Sequence, residues 1–420
     1  MTDTSTTRIT GTPVPPAESA RLRRMHMPER AAVIGTSVRE ADRALNLNGG
    51  GGGLLDTTHF DTVRFPPPAW AKDVINSVIE DGEKAYTPYR GNPEVLAALA
   101  TPVSAFLGTA ITPANLALTP GTQAGLFTTL SAIIDEGDLV MLADPEYVFA
   151  ERMLAFLGAR VVRIPLTFHD SEPTFDLDAV EALLPEKPVL FMYSNPNNPT
   201  GAVFTEATVE RLAELSLRGG FRVLADELYS RLVYEGVTFT HMLSIPGMAD
   251  RCITMLGPSK TESLSGYRLG VVVGPPDVME AVEQTLAATS LRAPAYAQHL
   301  LTHWLVEDEA FVAERILDLA ALRDLTLEKL RTVPGLTMTP QGGTAYLFVD
   351  TSALGVSDQE IAKALQQDAG VIVSPGYQFG PTGVGHFRVC YARDEAEWAI
   401  ALDRMVASLS AIAARQGVTA

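Results

Sequence analysis

The sequence predicts an α/β protein with a large domain on a mostly parallel sheet flanked by helices, followed by a smaller α+β domain. Three observations carry this. From Val74 onward, short apolar runs closed by Gly, Pro or polar residues alternate with segments of helical apolar spacing, the pattern of parallel strands joined through covering helices. After about Ala293 that alternation gives way to long helices with only short strands between them. A chain of 420 residues is long enough for a sizeable core and more than one folding unit.

In chain order, residues 1–18 are rich in Thr and Pro and read as a flexible tail. Residues 19–73 are expected to join the small domain and to carry a loop at the functional site. The large domain is placed at 74–293. Within it AGLFTTLSAII (124–134) has helical spacing, and LVMLADP (139–145) reads as a buried strand. VLFMYSNP (189–196), FRVLAD (221–226) and ITMLGP (253–258) read as further short strands. In open sheets of this kind ligands collect beyond the carboxyl ends of the strands. That is where NNPTG (197–201), Asp226 and Lys260 fall. The small domain, 294–420, opens with the helical AFVAERILDLAALRDLTLEKL (310–330) and adds short strands in AYLFVD, VIVSPG and HFRVCYA. No internal repeat is evident.

Composition narrows the partners. Lys plus Arg number 32 against 50 Asp plus Glu, a net charge of −18, which argues against a nucleic-acid or anionic-membrane partner. Cys252 and Cys390 make neither a disulfide framework nor a metal-ligand cluster, and the seven histidines have no metal-ligand spacing. No metal is expected. Neither an apolar signal core nor a run long enough to span a membrane is visible, so cytosolic residence is the simplest inference.

The chemistry starts from GPSKTESLSGYRLG (257–270). Lys260, between a Ser and a polar, Gly-punctuated turn, suits a Schiff base better than a solvated surface, because a neutral amine attacks carbonyls and burial beside cations favours the neutral form. Arg268, eight residues on, presents a planar, permanently charged fork suited to a phosphate ester. An aldehyde that carries a phosphate describes pyridoxal 5'-phosphate. Taken alone, NNPTG is equally a turn signature, since Asn, Pro and Gly are what tight turns demand.

The ordered set of motifs is far more specific than any member. YTPYRG (86–91), TPGTQAG (119–125), DPEY (144–147), SNPNNPTGAVF (194–204), ADELY (225–229), the Lys260–Arg268 segment and FRVCYA (387–392) occur in one order along nearly the whole chain. In this the chain resembles the class I/II aminotransferases, the fold-type-I pyridoxal-phosphate enzymes related to aspartate aminotransferase. The resemblance implies a seven-stranded-type sheet in the large, cofactor-binding domain. It also implies a homodimer with shared active sites, and pyridoxal 5'-phosphate joined to Lys260 as an internal aldimine.

Roles follow residue by residue. The cofactor ring accepts electrons while its nitrogen stays protonated, so a carboxylate must sit against that nitrogen. Asp226 is the candidate, while Glu227 would point the other way on an extended segment. Asn198 and Tyr229 match residues that hydrogen-bond the ring's phenolic oxygen, and Tyr229 joins Lys260 and Asp226 in the catalytic set. Gly121, Thr122 and Gln123 lie between a strand and a helix, where backbone amides and the helix dipole make an anion site. Ser259 and Arg268 complete it. Tyr147 matches the aromatic that stacks on the ring, and Tyr86 the tyrosine that reaches the neighbouring subunit's phosphate. Arg388 is the substrate-carboxylate candidate, through a bidentate guanidinium pair.

The departure lies in NLNGGGGGLLDTTHFDTVRFPPPAW (46–70), where the family usually has one glycine-containing turn. The run Gly49 to Gly53 reads as a linker or as a mobile lid. Gly49 is the first candidate for the glycine that approaches the substrate carboxylate. His59 keeps a functional reading because it lies in this stretch. Arg43, Arg64, Arg90 and Arg292 are all open as contacts to a substrate side chain. The expected function is amino transfer from an L-amino acid to a 2-oxo acid by a ping-pong mechanism. The alternative is a pyridoxal-phosphate lyase, cyclase or oxidase on the same scaffold, since fold does not fix function. A regulatory domain is disfavoured, because no DNA-binding segment is present and Lys260, Asp226 and Arg388 are all retained.

Overall fold

The computed structural model describes residues 19–25, 54–60, 66–81, 85–168, 172–339 and 342–419. The glycine run with Gly49, and the candidates Arg43 and Arg64, lie outside the described residues.

In chain order the strands are β1 (Leu55–Asp56), β2 (Leu116–Pro120), β3 (Leu139–Asp144), β4 (Arg160–Thr167), β5 (Thr174–Phe175), β6 (Leu190–Ser194) and β7 (Arg222–Asp226). They continue with β8 (Cys252–Leu256), β9 (Leu269–Val273), β10 (Tyr346–Asp350), β11 (Val371–Ile372), β12 (Ser374–Pro375) and β13 (His386–Cys390). The main sheet has the order β2-β9-β8-β7-β6-β3-β4-β5. Strands β8, β7, β6, β3 and β4 run parallel, whereas β9 is antiparallel to both of its neighbours. Seven of these are the strands the resemblance implied. The eighth, β5, is a two-residue strand that pairs antiparallel with β4 at the edge.

The two-residue period of the strands divides the core. Met141, Phe191, Tyr193, Val223, Ala225 and Val271 face one layer of helices. Val140, Leu142, Leu190, Met192, Leu224 and Val272 face the other. Local chemistry sets the helix ends. Thr205 Oγ1 accepts from Thr208 N to start the helix Glu206–Gly219, and Gly220 closes it in the left-handed region.

A separate cluster built from Leu319, Leu330, Leu347, Val349, Phe387, Val389, Trp398, Leu402 and Met405 fills the C-terminal part. It is held by the antiparallel β10-β13-β12 sheet and the long helices Glu309–Leu330 and Glu395–Arg415. The N-terminal segment reaches this part through β1, which pairs parallel with β11. No helix among the described residues is long and apolar enough to cross a membrane.

The sheet's polarity places the site. Ser194 ends β6 and is in register with Asp226, which ends β7. The turn that bears Lys260 follows β8. Three neighbouring parallel strands therefore deliver NNPTG, Asp226 and Lys260 to one edge.

Candidate active site

A cavity of about 390 Å³ opens at that edge, lined by Thr122, Gln123, Tyr147, Asn198, Asp226, Tyr229, Ser259, Lys260, Arg268 and Arg388. Ten sequence candidates thus share one space. At its floor, Asp226 accepts a 3.2 Å hydrogen bond from Leu228 N. Burial pushes its carboxyl up to about 6, while that hydrogen bond and the Lys260 charge pull it back. Glu227 does turn away: its carboxyl is buried against His241 Nδ1, at 2.5 Å. Among the described residues no hydrogen bond or ion pair holds the Lys260 amine, which leaves it free for a carbonyl.

Opposite the strand ends, Gly121 precedes the helix Thr122–Ile133 with φ +85° and ψ 159°. A Cβ there would lie 2.3 Å from Arg268 Nη2, so only glycine lets the guanidinium close over the helix N-terminus. Arg268 is itself held by Ser265 O at 2.8 Å and Pro120 O at 3.4 Å. Amide N–H groups, a helix dipole, a fixed cation and the neighbouring Ser259 form a site for a phosphate. The Tyr147 hydroxyl donates to Gln123 Oε1 at 2.8 Å, which ties the ring-stacking candidate to this end. These donors, the half-buried Asp226 carboxyl and the free amine match the phosphate, pyridine nitrogen and aldehyde of pyridoxal 5'-phosphate. The residues fit the group.

Arg388, on β13, lies beneath the rings of Tyr346 and Phe379, whose centroids are 4.1 and 4.8 Å from its Cζ. Its Nη1 donates to Asn198 Oδ1 and its Nη2 to Thr58 O, each at 2.5 Å. Its buried Nε has no partner among the described residues. The Tyr229 and Tyr346 hydroxyls are hydrogen-bonded at 2.9 Å.

Sequence reasoning missed Tyr346, Phe379, Gln378 and Thr58, all of which line the cavity. Tyr346 was legible only as part of the apolar strand AYLFVD. It comes over Arg388 because β10 pairs β13 with Tyr346 in register with Cys390, two residues beyond Arg388. His59 also lines the cavity, and its Nδ1 is 3.5 Å from Asp56 Oδ2. Three candidates, Tyr86, Arg90 and Arg292, are not brought in. Tyr86 is 85 % exposed, and Arg292 packs over the Tyr86 and Tyr89 rings, with its Cζ 4.4 and 4.9 Å from their centroids. Arg90 is likewise not among the lining residues.

Fold and site define the class: residues 56–405 match the family "Aminotransferase class I and II", and the chain belongs to that family. It is a fold-type-I aminotransferase, and among its relatives it is 31% identical to a probable aspartate/prephenate aminotransferase of Thermus aquaticus, over 87% of this chain and 94% of that one. It is also 31% identical to an arginine–pyruvate transaminase of Pseudomonas aeruginosa, over 79% of this chain and 82% of the other. A solved aspartate aminotransferase from Rhodobacter sphaeroides superimposes with a TM-score of 0.83 at 33% identity, covering 89% of this chain and 99% of that one.

Proposed function

We propose that this aminotransferase moves an amino group from an L-amino acid to a 2-oxo acid in two half-reactions, with pyridoxal 5'-phosphate held around Lys260, and that it works as a homodimer. The observation that carries this is the convergence, in one cavity, of the Lys260 amine, a half-buried strand-end carboxyl, a helix N-terminus with Arg268, and Arg388. Bound there, the cofactor would supply an aldehyde for amine exchange and a ring that takes up electrons released at the substrate Cα.

The chain's own residues do the rest. Asp226 would hold a proton on the ring nitrogen, an assignment that its half-buried carboxyl at the end of β7 supports. Asn198 and Tyr229 hydrogen-bond the phenolic oxygen. The Gly121–Thr122 amides with Ser259 and Arg268 anchor the phosphate, and Tyr147 covers the ring face. Arg388 would take the α-carboxylate, with Nε as a ready donor and two aromatic rings holding the guanidinium plane, and so orient the substrate for proton transfer at Cα. The Lys260 amine then removes and returns the proton as base and acid. The exposed Tyr86 and Tyr89, packed against Arg292, support a subunit contact.

The test is incubation of the holoenzyme with single amino acids. Aminotransfer predicts one equivalent of 2-oxo acid per site and then a stop, with turnover restored by an acceptor 2-oxo acid. Borohydride reduction before substrate is added should fix the cofactor on the peptide that contains Lys260. Repeated turnover on one substrate with release of ammonia or peroxide, or an adduct on another lysine, would overturn the assignment.

A further inference from the structure

Glu146, the third residue of DPEY, has no part in the chemistry above, yet it is 3% exposed and sits where the loops after β3 and β6 meet. Its Oε1 accepts from Tyr147 N and Ser194 Oγ, both at 2.6 Å. Its Oε2 accepts from Ser194 N at 2.7 Å and Asn197 Nδ2 at 3.4 Å. Ser194 Oγ in turn accepts from Asn198 N at 3.0 Å. The Glu146 backbone N–H donates to Phe379 O at 3.0 Å, in the loop that covers Arg388. One buried residue therefore joins three segments, two through its carboxyl and the third through its backbone N–H, and each presents a side chain to the cavity.

We propose that Glu146 is a positioning residue for the cofactor site: its carboxyl fixes the stacking Tyr147 and, through Ser194, the ring-oxygen ligand Asn198 as one unit. The inference rests on the roles proposed above for those two residues. The two oxygens accept four hydrogen bonds, and each oxygen faces one backbone N–H that can only donate, which suits a carboxylate. An amide of the same shape must turn its NH2 towards one of those two N–H groups whichever way it is placed. Burial pushes the Glu146 carboxyl up to about 8, against the pull of the Ser194 and Tyr147 donors. Measurement at about pH 9 therefore compares the ionised form with its variants.

The experiment titrates the cofactor-free protein with pyridoxal 5'-phosphate and follows the visible absorbance and circular dichroism of the bound cofactor. Glu146→Gln is expected to weaken binding by roughly tenfold or more and to change the visible dichroism while the far-ultraviolet spectrum is kept. If that variant does not fold, Ser194→Ala, which keeps the Ser194 N–H bond to Glu146 but removes the hydroxyl that bonds Glu146, Asn197 Nδ2 and Asn198 N, carries the same expectation at smaller size. In an Asn198→Ala background, Glu146→Gln should cost less than in the parent, since it acts partly through Asn198. Unchanged affinity and dichroism, or fully additive losses, would overturn the inference. A wild-type protein that binds no pyridoxal 5'-phosphate would instead overturn the reading on which it rests.

Discussion

Asp226 is a carboxyl whose charge the cofactor-free protein does not fully compensate. Its ordinary value of 3.8 is raised to about 6 by burial. The raised value means that the folded state binds the proton more tightly than the unfolded state. The associated stability is therefore complete below about pH 4 and is lost as pH rises through about 6. The difference is on the order of 3 kcal/mol. A protonated pyridine nitrogen would meet that charge, which is how one residue serves both binding and chemistry. Asp226→Asn is expected to raise the melting temperature of the cofactor-free protein at pH 8 and to leave it nearly unchanged at pH 4. Loaded with cofactor, the same variant should lose at least a hundredfold in turnover, about 2.7 kcal/mol of barrier. A melting curve equal to wild type at both pH values would refute the electrostatic account, and near-normal turnover the catalytic one.

At the scale of elements, the junction between β2 and the helix Thr122–Ile133 depends on a backbone conformation that essentially only glycine adopts. An alanine at Gly121 would carry strain of about 1–3 kcal/mol. Its Cβ would meet the end of the Arg268 side chain rather than backbone, so the guanidinium would swing away while the fold survives. Gly121→Ala should thus weaken pyridoxal 5'-phosphate binding about tenfold or more but change pyridoxal binding little, because pyridoxal has no phosphate. Equal losses for the two ligands would show that the loop, not the anion site, had failed. Elements of this kind were the legible part of the sequence. LVMLADP, VLFMYSNP and FRVLAD are continuous apolar runs with polar ends, and the strands stop at Asp144, Ser194 and Asp226. Lys260, Asp226, Arg268 and Arg388 were readable because each stands in a motif of a set that runs in one order along the chain, which no single motif signals alone. Tyr346, Phe379 and Glu146 were not. An aromatic in an apolar strand resembles any core residue, and the bonding of Glu146 depends on β3 and β6 being neighbours, which no local window contains.

At the scale of the whole molecule, the cavity draws on both parts of the chain. Asp226 ends a strand of the eight-stranded sheet and Lys260 follows another, while Tyr346 and Arg388 come with the antiparallel sheet of the C-terminal part, and Phe379 reaches back into the core of the large sheet. Arg231 helps hold these parts in register. Its Nη groups bond Asp308 at 2.9 Å, just before the helix Glu309–Leu330, and it also pairs with Glu262, two residues beyond Lys260. The 85 % exposure of Tyr86 then acquires a meaning that one chain cannot supply. If its hydroxyl completes the phosphate site of a second copy, each cavity needs Lys260 from one subunit and Tyr86 from the other. Homodimers of Lys260→Ala should be inactive, and those of Tyr86→Ala should bind the cofactor weakly and turn over slowly. In a mixed dimer, one cavity loses both residues, whereas the other keeps Lys260 and receives an intact Tyr86. Co-expression of the two variants under separate affinity tags, with purification through both tags, isolates that mixed dimer. Its activity at limiting pyridoxal 5'-phosphate should approach about half that of wild type, since one of two cavities is whole. Activity no higher than the mean of the two parent variants would show that each subunit completes its own site.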